Sequence, residues 1–232
     1  MELLTKNTKI AKSNVRAYNF GIPAWRSQAG FATCPFAGIC AKGCYAQAGA
    51  YRFSNVAKAF EERLALTRKP AEFFERITRE IDRKRVERLR VHDSGDFYSP
   101  EYLQLWLDVA FARPHVQFYA YTKSVAWVKE AMAAKQVPDN FTFVFSYGGK
   151  QDALINREID RHSWVFSSKQ AMLDAGYADT TETDDNAANP AIRCIGLVYH
   201  GTKKIANTQW QSLDAEPLIK GIKKVEGFNG LG

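Results

Sequence analysis

Short apolar runs alternate with longer amphipathic segments from residue 88 to residue 198, and this alternation restricts the fold more than any other feature. The apolar runs are too brief for helices and predict strands at Leu89–Val91, Val116–Tyr121, Phe141–Phe145, Trp164–Phe166 and Ile192–Val198. The intervening segments predict helices at Pro100–Ala112, Val125–Lys135, Ala153–Arg161 and Gln170–Ala175. Before them, residues 56–67 and 71–88 predict two helices, or one helix broken at Pro70. This order predicts an α/β fold, a partial or complete (β/α) barrel of the TIM type.

The length and composition favour one domain. The chain has 232 residues, of which 46% are apolar, and this is enough for a sizeable hydrophobic core. We expect a single domain over residues 1–232 that begins with an irregular arm at residues 1–30. The segment 178–190, ADTTETDDNAANP, is acidic and rich in turn-forming residues, and it predicts an exposed loop or lid.

The charge balance bears on partners and location. Lys and Arg number 32 against 25 Asp and Glu, which gives a net charge of +7. A basic chain favours polyanions, so we expect a nucleotide or a nucleic acid as substrate or partner. The sequence has no run of the ~18 apolar residues that a membrane span needs, and its first residues lack the apolar core of a secretory signal. We therefore expect no membrane partner and a cytoplasmic location.

A group of polar residues directly follows each predicted strand. The groups are HDSGD at 92–96, TKS at 122–124, SYGG at 146–149, SSK at 167–169 and YHG at 199–201. The carboxyl ends of parallel strands lie on one face of a sheet or barrel, so we expect these groups to converge on one site. Helix capping by Ser and Thr and tight turns at Gly are the alternative explanation. The candidate catalytic residues are His92, Asp93, Asp96 and Lys123.

Three of the four cysteines lie within eleven residues. Cys34, Cys40 and Cys44 have the spacing C-x5-C-x3-C, and Cys194 is far away in the sequence. In a reducing compartment such clustering favours a metal or iron–sulfur site over disulfides. Zinc with Cys194 or His92 as fourth ligand would be structural, whereas a [4Fe–4S] cluster held by three cysteines would leave one iron open for chemistry. Buried cysteines without a ligand are the remaining possibility.

These motifs together resemble a known superfamily. A three-cysteine loop after the first strand, followed by Gly95-Asp96 at the end of the second, resembles the radical S-adenosylmethionine (SAM) enzymes. The resemblance implies a full or partial β/α barrel with a [4Fe–4S] cluster on Cys34, Cys40 and Cys44, and SAM beside Ser94, Gly95 and Asp96. The usual spacing in that superfamily is C-x3-C-x2-C, which differs from the spacing here. The segments CPFAGICAKGCYA, RVHDSGDFYSPEYLQLW and QFYAYTKS resemble more closely a phage family known as gene product eighty-eight, and a phage protein would act in the host cytoplasm.

Two other interpretations stay open. The segment HDSGDFYSPE resembles the Asp-Ser-Gly-Gly-Phe segment of tRNA- and DNA-guanine transglycosylases. That resemblance implies a zinc-containing barrel that exchanges guanine for a 7-deazaguanine, with Asp93 in acid–base or recognition roles. The other interpretation is a non-catalytic nucleic-acid-binding protein. Our leading interpretation is a radical-SAM-like iron–sulfur enzyme that modifies a nucleotide or nucleic-acid base, with His92, Asp93 and Lys123 handling the substrate.

Overall fold

A computed structural model describes residues 1–199, in which seven parallel strands form one curled sheet, a half-barrel. The strands are β1 (Ala17–Phe20), β2 (Arg88–Val91), β3 (Gln117–Thr122), β4 (Phe141–Ser146), β5 (His162–Phe166), β6 (Ala178–Asp179) and β7 (Cys194–Val198). Their order across the sheet is β1-β2-β3-β4-β5-β7-β6. The predicted partial barrel is confirmed. The described strands do not close into a complete one, because β1 and β6 lie at opposite edges of the sheet.

Seven helices accompany these strands in the part of the chain that the structure describes. They are α1 (Thr8–Ala11), α2 (Ser54–Thr67), α3 (Pro70–Lys84), α4 (Pro100–Phe111), α5 (Val125–Ala133), α6 (Lys169–Asp174) and α7 (Asp185–Ala188). The predicted start of α4 is confirmed, because the Ser99 side chain accepts a hydrogen bond from the Tyr102 N–H (3.2 Å) and Pro100 follows it. Within residues 1–199, no helix combines the length and the apolar character that a membrane span requires.

Alternate residues along the strands face the helices and form the main core. Leu89, Val91, Phe118 and Phe143 are among its members, and each is at most 3% exposed. A second, smaller core contains Tyr119, Val144 and Ile195, which occupy the other positions of the same strands. Since successive side chains of a strand point to opposite faces, this second core marks the concave face of the half-barrel. Other parts of the chain must therefore cover the apolar side chains on the concave face.

The two ends of the described chain cover the concave face, and both differ from their predictions. The predicted irregular arm contains α1 and β1, and Ile10 packs in the smaller core. The predicted exposed loop at 178–190 contains β6 and α7, and Ala187 and Ala188 are buried in the same core. Its acidic residues are not simply solvated, because Asp184 forms an ion pair with Arg90 of β2 (2.6 Å). The loop prediction was wrong because it treated acidic composition as evidence of exposure.

The predicted helix at Ala153–Arg161 is absent. Only a single 3-10 turn forms, at Asp152–Leu154. Side chains take the backbone donors that a helix would use: the Asp160 carboxylate accepts from Asn156 N–H (2.7 Å), and the Asn156 side chain accepts from Glu158 N–H (2.9 Å). Short polar side chains compete with helices in this way. The polar group predicted after β7 at His200 and Gly201 lies outside the described residues.

Candidate functional site

A cavity of about 460 Å³ lies at the carboxyl ends of the strands. Its wall brings together the three clustered cysteines and several of the predicted strand-end residues, which are far apart in sequence: Cys34, Cys40, Cys44, His92, Asp93, Ser94, Gly95, Asp96, Lys123 and Ser146. Side chains of the concave face, including Arg90, Tyr121 and Leu197, also line it. The predicted convergence of the cysteines with the strand-end residues is thus present in the structure. The group at Ser167–Lys169 does not take part, since Ser168 caps α6 and Lys169 pairs with Asp179.

The three cysteines lie in residues 34–53, here called the cysteine segment, which connects β1 to α2. The segment consists mainly of short 3-10 turns at Ile39–Gly43, Tyr45–Gln47 and Gly49–Arg52. Its beginning docks on the loop after β4, because the N–H groups of Gly38 and Cys40 both donate to the Gly148 carbonyl (3.2 Å each). A Cβ atom at Gly38 would stand 2.8 Å from that carbonyl oxygen, so this close approach requires glycine.

Asp152 holds the loop that receives the cysteine segment. Its carboxylate accepts hydrogen bonds from the N–H groups of Gly148 and Gly149, at 2.9 Å each. Gly148 has φ = +95°, a conformation that favours glycine. The Gly-Gly pair thus supports the cysteine loop and binds no phosphate in this arrangement. Sequence reasoning missed this role, and the signal for it was an Asp four residues after the first Gly.

The thiols are half-buried and electrostatically coupled to the rest of the site. Burial raises the pKa of Cys34, and the nearby Asp96 carboxylate raises it further. Burial likewise raises the pKa of Cys44. The Cys34 sulfur accepts a hydrogen bond from the Trp25 N–H (3.4 Å). Such thiols stay protonated on their own, and they become thiolates when a metal centre displaces the protons.

Lys123 and Asp96 form a fixed polar bridge across the strand ends. Asp96 accepts hydrogen bonds from the Thr122 hydroxyl (2.6 Å) and the Lys123 N–H (2.8 Å), so it joins the end of β2 to the end of β3. The Lys123 ammonium donates to the Ser146 hydroxyl at the end of β4 (2.7 Å). Burial opposes its charge, but the negative charges of nearby groups, the Asp96 carboxylate among them, outweigh burial and raise the pKa of Lys123. The ammonium therefore stays charged among the cysteines.

The remaining part of the HDSGD motif packs tightly beneath the cysteine segment. Asp93 accepts a hydrogen bond from Tyr51 on one carboxylate oxygen (3.4 Å), and burial raises its pKa. The Ser94 hydroxyl is buried and has no hydrogen-bond partner within residues 1–199. Gly95 has φ = +85°, and a Cβ there would stand 2.3 Å from the Ile22 side chain, so backbone conformation and packing both require glycine.

His92 lies in the aromatic core behind the cavity and is 3% exposed. Its Nε2 atom is 2.9 Å from the Tyr102 hydroxyl, and the rings of Phe97 and Trp106 surround it. Burial and the Arg90 charge lower the pKa of His92 to about 3. A histidine of this kind is a poor proton acceptor at neutral pH, so its predicted role as a substrate base lacks support from the geometry.

Cys194 is not brought to the other cysteines. It is the first residue of β7 and pairs in register with His162, the first residue of β5. The other three cysteines line the cavity at the opposite, carboxyl ends of the strands. The predicted four-ligand set that includes Cys194 therefore does not form. In residues 1–199, no set of three or more His, Cys, Asp and Glu side chains is compact enough to hold a single metal ion.

Sequence reasoning missed a buried charge network on the concave side of the cavity. Arg90 donates to Asp184 (2.6 Å) and to the Tyr45 hydroxyl (3.3 Å), and Tyr45 in turn donates to the Asp93 carbonyl. The Tyr119 hydroxyl also donates to Asp184 (3.1 Å). The signal was the β2 sequence RLRV, which places Arg88 and Arg90 on the same face of one strand.

The chain was compared with known families, proteins and structures. The family model described as Gene product 88 matches residues 1–214. The chain belongs to the gene product 88 family. The resemblance to this phage family is thereby confirmed.

Two phage relatives cover similar parts of the chain. The Gene 88 protein of Mycobacterium phage L5 is 30% identical over 198 residues, which cover 77% of this chain and 73% of the relative. The Gene 88 protein of Mycobacterium phage D29 is 28% identical over 197 residues, which cover 78% and 74%. No solved structure matches. Both relatives are named after a gene, so the site itself must supply any argument about activity.

Proposed function

We propose that this member of the gene product 88 family is a radical-SAM-like iron–sulfur enzyme that acts on a nucleotide or nucleic-acid base. One observation carries the proposal: Cys34, Cys40 and Cys44 line a single cavity at the carboxyl ends of a parallel half-barrel, beside Asp96 and Lys123. The cysteine segment follows β1, and Gly95-Asp96 follows β2. This order is the one that the resemblance to radical SAM enzymes implies.

The donor set suits a cluster better than a single zinc ion. A mononuclear site needs its ligands to meet at one point, and the described residues offer no such compact group. In a [4Fe–4S] cluster each thiolate binds a different iron, so the three sulfurs do not have to meet at one point. A zinc-containing transglycosylase has less support, because Cys194 lies at the other end of the sheet. When bound, a cluster with SAM supplies one-electron reduction for radical chemistry.

The chain's own residues have definite tasks in this proposal. Cys34, Cys40 and Cys44 hold the cluster, and the Lys123 ammonium offsets part of the negative charge that three thiolates bring into a buried site. Asp96 Oδ2 accepts one hydrogen bond, so it retains an acceptor position for the ammonium group of SAM. The unpartnered Ser94 hydroxyl is a further polar group for a bound ligand.

The test is SAM turnover by protein reconstituted with iron and sulfide under anaerobic conditions. We expect the wild type to convert SAM to 5′-deoxyadenosine and methionine when dithionite is added, and Cys40→Ala to lose this conversion. Cys194→Ala is the matched control and should keep it, since Cys194 does not line the cavity. A wild type that holds stoichiometric zinc and leaves SAM unchanged would refute the proposal.

A further inference from the structure

The positive charge of the chain is concentrated around the cysteine segment. Residues 3–60 contain eight Lys and Arg residues and neither Asp nor Glu. The rest of the chain is close to neutral, so this segment accounts for the net charge of +7. Four of the eight cations, Lys9, Lys12, Arg16 and Lys58, pair with carboxylates that lie outside this stretch.

The other four cations are exposed and form no ion pair within residues 1–199. One of them, Lys6, lies over the ring of Tyr18 in β1, and the other three are available to a partner. These three are Arg26, Lys42 and Arg52. Each of the three directly adjoins in sequence a residue that lines the cavity: Trp25, Ala41 and Tyr51 respectively. The three cations therefore adjoin the lining of the cavity along the chain.

Exposed aromatic rings occur among these cations. The exposed fraction is 42% for Trp25, 50% for Tyr45 and 62% for Phe53. Trp25 and Tyr45 line the cavity, and the Arg26 guanidinium lies 5.5 Å from the centroid of the Trp25 ring. We call Trp25, Arg26, Lys42, Tyr45, Arg52 and Phe53 together the rim.

A rim of unpaired cations and exposed rings matches one class of partner. Cations bind phosphates without regard to sequence, and aromatic side chains stack on unpaired bases. A base inside a duplex cannot enter a cavity of this size, whereas a base of a single strand can. We infer that the rim binds single-stranded nucleic acid, with one base directed into the cavity. This inference names the substrate class of the proposed enzyme. The binding itself does not depend on the proposed function, whereas the reaction that follows binding does.

The experiment measures fluorescence anisotropy of labelled oligonucleotides across a salt series. We expect single-stranded DNA or RNA to bind more tightly than the same sequence as a duplex, and the preferred sugar identifies the natural strand. The triple variant R26A/K42A/R52A should bind at least about ten-fold more weakly, with a salt slope shallower by about 2, since each phosphate contact on a single strand contributes about 0.7. Phe53→Ala should weaken binding by roughly ten-fold through lost stacking.

The matched control is K69A/R79A/K169A, which removes the same charge from exposed residues outside residues 3–60 that are paired with carboxylates. Equal weakening by both triple variants would overturn the inference, as would absence of single-strand binding or equal competition by polyglutamate. Iron content and visible absorption are recorded on the same samples. A colourless protein that binds single strands at the rim would refute the iron–sulfur proposal and leave this inference standing.

Discussion

Asp96→Asn tests whether Asp96 joins the strand ends on which the cavity is built. In the wild type, Oδ1 accepts from the Thr122 hydroxyl (2.6 Å) and the Phe97 N–H (2.8 Å), while Oδ2 accepts from the Lys123 N–H (2.8 Å). Asparagine can replace only one of these two oxygens. Its amide NH₂ would then face a backbone or hydroxyl donor at hydrogen-bond distance.

The structure leaves little room for the network to rearrange. Thr122 Oγ1 accepts from the Ser124 N–H (3.0 Å), and its own proton points toward Asp96 because the carboxylate can only accept. The variant therefore loses one hydrogen bond to a charged group and leaves one buried donor unpaired. We expect the free energy of unfolding to fall by about 2–3 kcal/mol, which lowers Tm by roughly 4–12 °C in a chain of this size.

The assay is urea and thermal unfolding followed by circular dichroism, with Asp139→Asn as the control. Asp139 is an exposed aspartate in the turn before β4, and its substitution should change the free energy of unfolding by less than about 0.5 kcal/mol. If Asp96→Asn unfolds like the wild type, Asp96 does not hold the strand ends together. The argument that these hydrogen bonds fix the orientation of Asp96 in the proposed site would then be wrong.

Three further predictions concern the support of the site. Gly38→Ala places a Cβ 2.8 Å from the Gly148 carbonyl oxygen. We therefore expect the free energy of unfolding, measured in urea, to fall by about 1–3 kcal/mol. An unchanged midpoint would contradict the contact between Gly38 and the loop after β4. Asp152→Asn should speed limited proteolysis within residues 34–53, because it removes a hydrogen-bond acceptor from the N–H of Gly148 or Gly149. Equal cleavage rates in the variant and the wild type would show that Asp152 does not support the cysteine segment. His92 is kept neutral in the folded protein, because its pKa is lowered to about 3. The unfolded state therefore binds more protons between pH 6.5 and pH 3. The free energy of unfolding should fall on acidification through this window, by up to about 1.4 kcal/mol per pH unit. His92→Asn, chosen because Asn tolerates the φ of +66°, should flatten that slope, and an unchanged slope would assign it to other groups.

The sequence predicted most of the sheet but not the covering of its concave face. Strands β2 to β5 and β7 are short apolar runs between turn signals, so the sequence pattern identified them as strands. β1 was missed because AYNF is short and lies in a polar lead-in, and its assignment depends on tertiary pairing with β2. The burial of residues 184–188 depends on the Asp184–Arg90 ion pair, which no local pattern reveals.

The sequence predicted those residues of the candidate site whose position depends on the strand topology alone. It did not predict those whose position depends on side-chain packing. Parallel strands bring their carboxyl ends together, and this was enough to predict that Asp96 and Lys123 lie near each other, whereas only the family resemblance placed the cysteines beside them. The same rule could not show that His92 turns into the aromatic core, since its φ of +66° depends on the fold around it. Cys194 lies at the amino end of β7, as the predicted strand Ile192–Val198 already implied, and this position separates it from the other cysteines.

Iron and sulfide analysis of anaerobically reconstituted protein tests the central claim most directly. If Cys34, Cys40 and Cys44 share one cluster, the wild type and Cys194→Ala should each bind about four iron and four sulfide per chain and absorb near 400 nm. Each alanine variant of the other three cysteines should lose most of both. Equal iron in all four variants, or a wild type that takes up zinc and no sulfide, would contradict the account.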